Sequence, residues 1–203
     1  MRRLVLPLVV VTLGASMLGG CVGGKSKPSS FYVLSPLPDA KAGKQVAAGE
    51  RDVAIGIGPI DLPHYLDRTQ IVIRASPNQL DFAEFDRWAE PLRDNFSRTL
   101  TENLSTLLAT PHVAVFPWDG STPIDYQVEV EVTRFEGDAD GNALLIARWS
   151  IFGKGVRELL VRRRSRFSKA AGAQDYEALV SAMSRALANL SREIATAIET
   201  VSQ

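Results

Sequence analysis

The chain has one cysteine and two histidines in 203 residues. A lone cysteine excludes an intrachain disulfide framework. His64 and His112 are far apart, each beside a proline, without the close-set His, Cys or carboxylate company that metal sites require. Net charge is missing as well: 23 basic residues balance 23 acidic ones. Nothing in that balance points to nucleic acid. No G-x-S-x-G stretch, P-loop or dinucleotide fingerprint occurs, and Gly56-Ile57-Gly58 is more simply a strand end. A nucleophile, base and orienting group can assemble from distant residues, but no local pattern signals one, and the chain reads as non-catalytic. Asp81, Glu84, Asp86 and Glu90 could be imagined as paired carboxylates; surface charge around a loop is the simpler account.

What is present begins at the N-terminus. Arg2 and Arg3 precede an uncharged, apolar stretch over 4–18. That is shorter than the roughly 20 residues a spanning helix needs. A positive start, a short apolar stretch and small residues after it describe a secretory signal. Leu18-Gly19-Gly20-Cys21 resembles the lipobox of bacterial lipoproteins. In that chemistry the thiol of Cys21 carries a diacylglycerol thioether, a peptidase cuts before it, and an N-acyl chain follows. The expected attachment is therefore covalent lipid, with no cofactor and no metal. Residues 1–20 would be the removed leader, 21–30 a lipidated tether, and 31–203 a single domain. Loss of Arg2 and Arg3 leaves 21 basic residues against 23 acidic ones, a balance of −2. The tether is Gly, Ser, Lys and Pro, and reaches at most about 35 Å.

Periodicity outlines the domain. A short β-type run at Phe31-Tyr32-Val33-Leu34 is closed by Pro36 and Pro38, and 39–52 reads as a polar loop. Residues 53–57, 70–74 and 80–85 read as strands, the first ended by Gly58-Pro59. Leu92, Phe96, Leu100, Leu104 and Leu107 recur at helical spacing within 89–109; Tyr176, Leu179, Met183, Leu187, Leu190, Ile194 and Ile198 do so within 174–201. Between them Tyr126, Val128, Val130 and Val132 alternate with polar residues, so one strand face is buried and one is wet. A Gly/Asp turn at 137–142 makes 143–152 the hairpin partner, and 158–168 a third strand. The expected fold is α+β: one mixed, largely antiparallel sheet with two long helices packed on one face. In the last strand Arg162, Arg164 and Arg166 would point to one side, opposite Arg163, Ser165 and Phe167. The stripe reads either as a contact for lipid head groups or an acidic partner, or as a solvated strand face that discourages edge pairing. The second is the simpler.

One stretch is distinctive: Gly58-Pro59-Ile60-Asp61-Leu62-Pro63-His64-Tyr65-Leu66-Asp67-Arg68, continued by Gln70-Ile71-Val72. Together with Arg87-Trp88-Ala89-Glu90-Pro91-Leu92 it resembles the PqiC/YmbA-like family, auxiliary lipoproteins of ABC-type transport systems. Phe31-Tyr32-Val33-Leu34, Asp125-Tyr126, Ala147-Arg148-Trp149 and Tyr176 agree in order and spacing, and Thr69 stands where the family often has proline. The resemblance implies a non-catalytic subunit of a system that moves lipid between inner and outer membranes and supports envelope integrity. Its implied partners are an MCE-domain periplasmic protein and the associated ABC or membrane permease. A homo-oligomer such as a symmetric ring is consistent with a ring-forming partner. Val22, rather than aspartate, follows Cys21 and favours the periplasmic face of the outer membrane. A lipoprotein that activates a periplasmic cell-wall synthase is the alternative.

Pro59, Leu62, Pro63, Tyr65 and Leu66 place apolar groups in a proline-stiffened loop. Such a loop loses little entropy on binding and suits partner docking. It could equally fold back as a lid over the sheet edge.

Overall fold

The alternating run from Tyr126 forms the spine of the molecule. In the computed structural model, which describes residues 27–38, 53–154, 158–172 and 175–202, that run extends to Asp138 as a strand of 13 residues. The leader, Cys21, most of the tether and the 39–52 loop lie outside the described residues. In chain order the strands are β1 (Ser30–Tyr32), β2 (Ile55–Asp61), β3 (Gln70–Ser76), β4 (Gln79–Trp88), β5 (Val113–Val115), β6 (Tyr126–Asp138), β7 (Asn142–Gly153) and β8 (Leu159–Ala170). The helices are α1 (Leu92–Leu108) and α2 (Tyr176–Val201). The expected α+β class holds: a mixed sheet of eight strands among the described residues, with two helices packed against it.

Two features depart from the sequence reading. Gly58-Pro59 does not end β2; the strand runs on to Asp61 through a register shift between Ile57 and Ile60. The bulge takes Pro59 out of the ladder, which is how a residue with no N–H survives inside a strand. Gly58 sits there at φ 119°, and a Cβ would stand 2.8 Å from Phe116 Cβ, so a side chain is excluded on both counts. Strand β5, Val-Ala-Val, is too short for periodicity to reveal.

The sheet forks at β6. One edge of β6 pairs antiparallel with β7 along its length, and β7 pairs with β8. The other edge is shared: β2 runs parallel to it through Glu131, and β3 rejoins it at Gly137 and Asp138. The distinctive 58–72 stretch is therefore an excursion of the chain away from an edge that it leaves and then regains. A second register shift, between Val132 and Arg134, changes which residues of β6 face the helices. Val128, Val130 and Val132 do so before it; Phe135 and Gly137 do so after it. Phe135 meets Phe96 of α1 edge-on at 5.4 Å, and Gly137 lies against Leu179 of α2.

Burial follows the helical stripes. Phe96, Leu100 and Leu104 of α1 and Leu187, Leu190 and Ile194 of α2 are fully enclosed. Asp175 caps α2 by accepting from the Ala178 N–H at 2.7 Å. The chain that leaves β1 is strapped to the same two helices. The Leu34 and Leu37 N–H groups donate to Asn95 Oδ1 at 3.1 Å and Asn103 Oδ1 at 2.7 Å on α1, and the Ser35 N–H donates to Ser184 Oγ on α2. Asn103 also donates to Ser191 Oγ at 3.0 Å, tying α1 to α2. Buried Asn95 and Asn103 thus give an extended segment the backbone partners that a sheet would otherwise supply. Asn103→Ala is expected to lower unfolding free energy by about 1–3 kcal/mol and to speed exchange of the Leu37 amide, checked by denaturant titration and hydrogen exchange.

Candidate docking site and the carboxylate beneath it

The excursion after β2 contains one 3-10 turn, His64–Leu66, fixed by the Leu66 N–H donating to Pro63 O and the Asp67 N–H donating to His64 O. The five loop residues do not share one environment. Pro59 is exposed, Leu62 and Pro63 are half-buried, Tyr65 is half-buried with its hydroxyl enclosed, and Leu66 is only 2% exposed, within the core. Arg68 reinforces the turn: its Nε donates to Tyr65 O at 2.8 Å, and its guanidinium lies 3.8 Å over the Phe82 ring. Trp88, at the start of the helix motif, is a packing residue, 4% exposed, and its N–H donates to Thr69 O.

Beneath the turn lies a group that the sequence reading did not single out. Glu136 is fully buried. Its Oε1 accepts from Arg74 Nε at 2.5 Å and Arg134 Nε at 2.8 Å. The Tyr65 hydroxyl is turned toward the same carboxylate, but no hydrogen bond of regular geometry closes to Oε2, and both atoms are enclosed. One carboxylate oxygen thus serves two guanidiniums while the other is bare. Burial pushes the Glu136 carboxyl upward; contacts from Arg74, Tyr65 and Arg134 outweigh it and hold the group below the usual glutamate range. Burial, then the neighbouring carboxylate, raises Tyr65 well above an ordinary tyrosine, so it stays a neutral O–H. The signal for this site was in the sequence. Continuing the alternation past Val132 would set Arg134 and Glu136 on the buried face, a conflict that only a bulge resolves.

Away from the fork, the β5 margin of the sheet presents apolar surface. Val115 is 43% exposed and Phe116 51%, and Phe116 packs edge-on against Trp118 at 5.5 Å. They border a cleft of about 210 Å³ with Ile57, Pro59, Ile60 and Ser97. Arg93 closes one side, donating to Ile60 O at 2.8 Å. Of the five loop residues, the cleft takes only Pro59. Its β2 and β5 side is aliphatic, aromatic and proline, chemistry suited to holding a partner's apolar side chain, while α1 contributes Arg93, Asp94 and Ser97. Among the described residues no group of three or more His, Cys, Asp or Glu could hold a metal, and no helix is long and apolar enough to cross a membrane.

Comparison with known proteins gives this geometry its context. The family described as ABC-type transport auxiliary lipoprotein component matches residues 32–195, and the chain belongs to it. The intermembrane transport lipoprotein PqiC of Escherichia coli is 26% identical over 189 residues, covering 91% of this chain and 96% of that protein. The Shigella flexneri PqiC matches to the same extent. A crystal structure of a Xanthomonas campestris protein shares the fold at a TM-score of 0.70 and 17% identity, covering 86% of this chain and 99% of that one. A second solved structure, of an uncharacterized protein, aligns at 0.69 with 23% identity over 85% and 99% of the two chains.

The buried carboxylate makes a pH-dependent prediction. A carboxyl held below its unfolded value stabilises the fold above the ordinary glutamate range, and that contribution disappears as pH falls through the folded value. Glu136→Gln is expected to cost about 2–4 kcal/mol at pH 7, because it leaves two guanidiniums without their anion. The gap between native and variant should narrow below about pH 4 in thermal unfolding. A gap independent of pH would show that the ionised carboxylate is not the source.

Proposed function

We propose that this family member is an outer-membrane-anchored, non-catalytic lipoprotein subunit of an MCE/ABC-type system that moves lipid between inner and outer membranes. The observation that carries the proposal is the family match from residue 32 to residue 195, lying just downstream of a lipobox at Cys21. Similarity to an intermembrane transport lipoprotein along nearly the whole of both chains supports the same role. Diacylglycerol and N-acyl chains on Cys21 anchor the domain effectively permanently, since each buried CH₂ contributes about 0.8 kcal/mol. Val22 directs sorting to the outer membrane, leaving the domain on its periplasmic face.

The partner is an MCE-domain periplasmic protein of the transport complex. It docks at the β5 margin of the sheet, where Pro59, Val115 and Phe116 expose apolar groups on paired strands beside α1. Leu62 and Pro63 contribute their outward halves. Tyr65 and Leu66 act from below by fixing the turn. A rigid surface of this kind limits the entropy lost on association.

Deleting the gene should sensitise cells to detergents, and affinity capture of the lipidated chain should recover an MCE-domain protein. Phe116→Asp should reduce that capture at least about ten-fold without lowering the thermal midpoint, as expected of an exposed anchor at an interface. Cys21→Ala should leave the protein out of the membrane fraction. Sensitivity to cell-wall antibiotics alone, with a cell-wall synthase captured instead, would overturn the transport role in favour of synthase activation.

A further inference from the structure

Strand β8 carries Arg162, Arg163, Arg164, Arg166 and Lys169 and no acidic residue from Leu159 to Ala170. The whole chain has no net charge, so this is segregation of charge rather than an excess. Arg163 points to the helix side, where it lies 3.9 Å from Glu193 and over the Trp149 ring. Arg162, Arg164 and Arg166 point the other way and are exposed.

Register makes their situation costly. Arg164 stands directly opposite Arg148 of β7. Like charges directly opposite on neighbouring strands destabilise the pair. Asp61, Glu129 and Glu131 share a cleft with Arg162 but are engaged elsewhere: Asp61 by Arg93 at 3.6 Å, Glu129 by the Gln127 amide at 3.1 Å and Glu131 by Arg148 at 2.6 Å. Arg162 has the Ser150 hydroxyl at 3.3 Å. Among the described residues no carboxylate forms an ion pair with Arg162, Arg164 or Arg166. A strand face that only discouraged edge pairing would be served by one or two lysines. Three arginines in a row, one of them facing a fourth, form a face whose neighbouring carboxylates make their contacts elsewhere.

Guanidinium binds phosphate through two parallel N–H donors, so phosphate is the matching chemistry. Alternate strand residues stand about 6.6 Å apart, and the three arginines span about 13 Å along an outer strand. That row meets several phosphates side by side. The tether enters at β1, on the opposite margin of the sheet, five strand spacings or about 24 Å from β8. The nine residues from Cys21 to Ser30 reach about 30 Å, enough to lay this face on the membrane that holds the anchor. We propose that the Arg162–Arg164–Arg166 face docks on anionic phospholipid head groups of that membrane, orienting the anchored domain. The proposal rests on the lipid anchor of the preceding section only for its tethering.

The test uses the full lipidated chain on vesicles of phosphatidylcholine alone and with about a third phosphatidylglycerol, read by flotation and by hydrogen exchange of β8. The native chain should float with both. Its β8 amides should be protected on the anionic vesicles only, and high salt should remove that protection. Each arginine is expected to shift the docked fraction about five-fold, so R162Q/R164Q/R166Q should lose roughly a hundred-fold while Arg192→Gln loses nothing. The triple lysine variant keeps the charge and should retain most of the docking. An unchanged thermal midpoint shows that the glutamine variant is folded. Equal β8 exchange on both vesicle types overturns the proposal and leaves the anchor intact. Failure to float with neutral vesicles overturns the anchor instead; flotation of native but not triple-variant protein on anionic vesicles then still supports the arginine face.

Discussion

The fork in the sheet closes around one buried carboxylate. Glu136 lies where β6 has lost β2 as a neighbour and has not yet met β3. Arg74 reaches it from β3, Arg134 from β6 itself, and Tyr65 comes down from the turn between β2 and β3. A buried ion pair contributes little net stability over an apolar alternative, yet removing one member is severe. Such a cluster selects among arrangements more than it strengthens one of them. Here it joins β3, β6 and the turn between β2 and β3 at one point.

A second set of polar contacts works on the opposite face. The segment after β1 has no strand partner beyond Tyr32, and Asn95, Ser184 and Asn103 take over its N–H groups. The chain just downstream of β1 is thereby joined to both helices. The two faces of the sheet differ accordingly. One is closed by the helices, with the apolar cleft beside α1 at the β5 margin; the other is charged and carries the arginine row at the β8 margin.

Long elements were legible because a core-facing stripe repeats enough times to be seen. Both helices, and β3, β6, β7 and β8, lie close to where spacing put them. Strand β5 escaped because three residues carry no period. The extension of β2 beyond Gly58-Pro59 escaped because a bulge lets a proline sit inside a strand. Of the five loop residues, the sequence showed that they were apolar and stiffened, but not which way each faced. Leu66 turned into the core and Pro59 outward, an outcome set by tertiary packing.

The sequence by itself determined the chemistry available: a lipobox with a single thiol, two amphipathic helices, alternating strands, an arginine stripe and a motif shared with auxiliary lipoproteins. These are local properties, written in spacing and residue type. Only the tertiary structure decided which charges would meet. Glu136 is 62 residues from Arg74, and Arg148 faces Arg164 through strand register alone. One carboxylate thereby became a buried lock, and three arginines were left facing solvent without an ion pair among the described residues, because contact between distant residues is set by strand pairing and bulges, which local pattern does not encode.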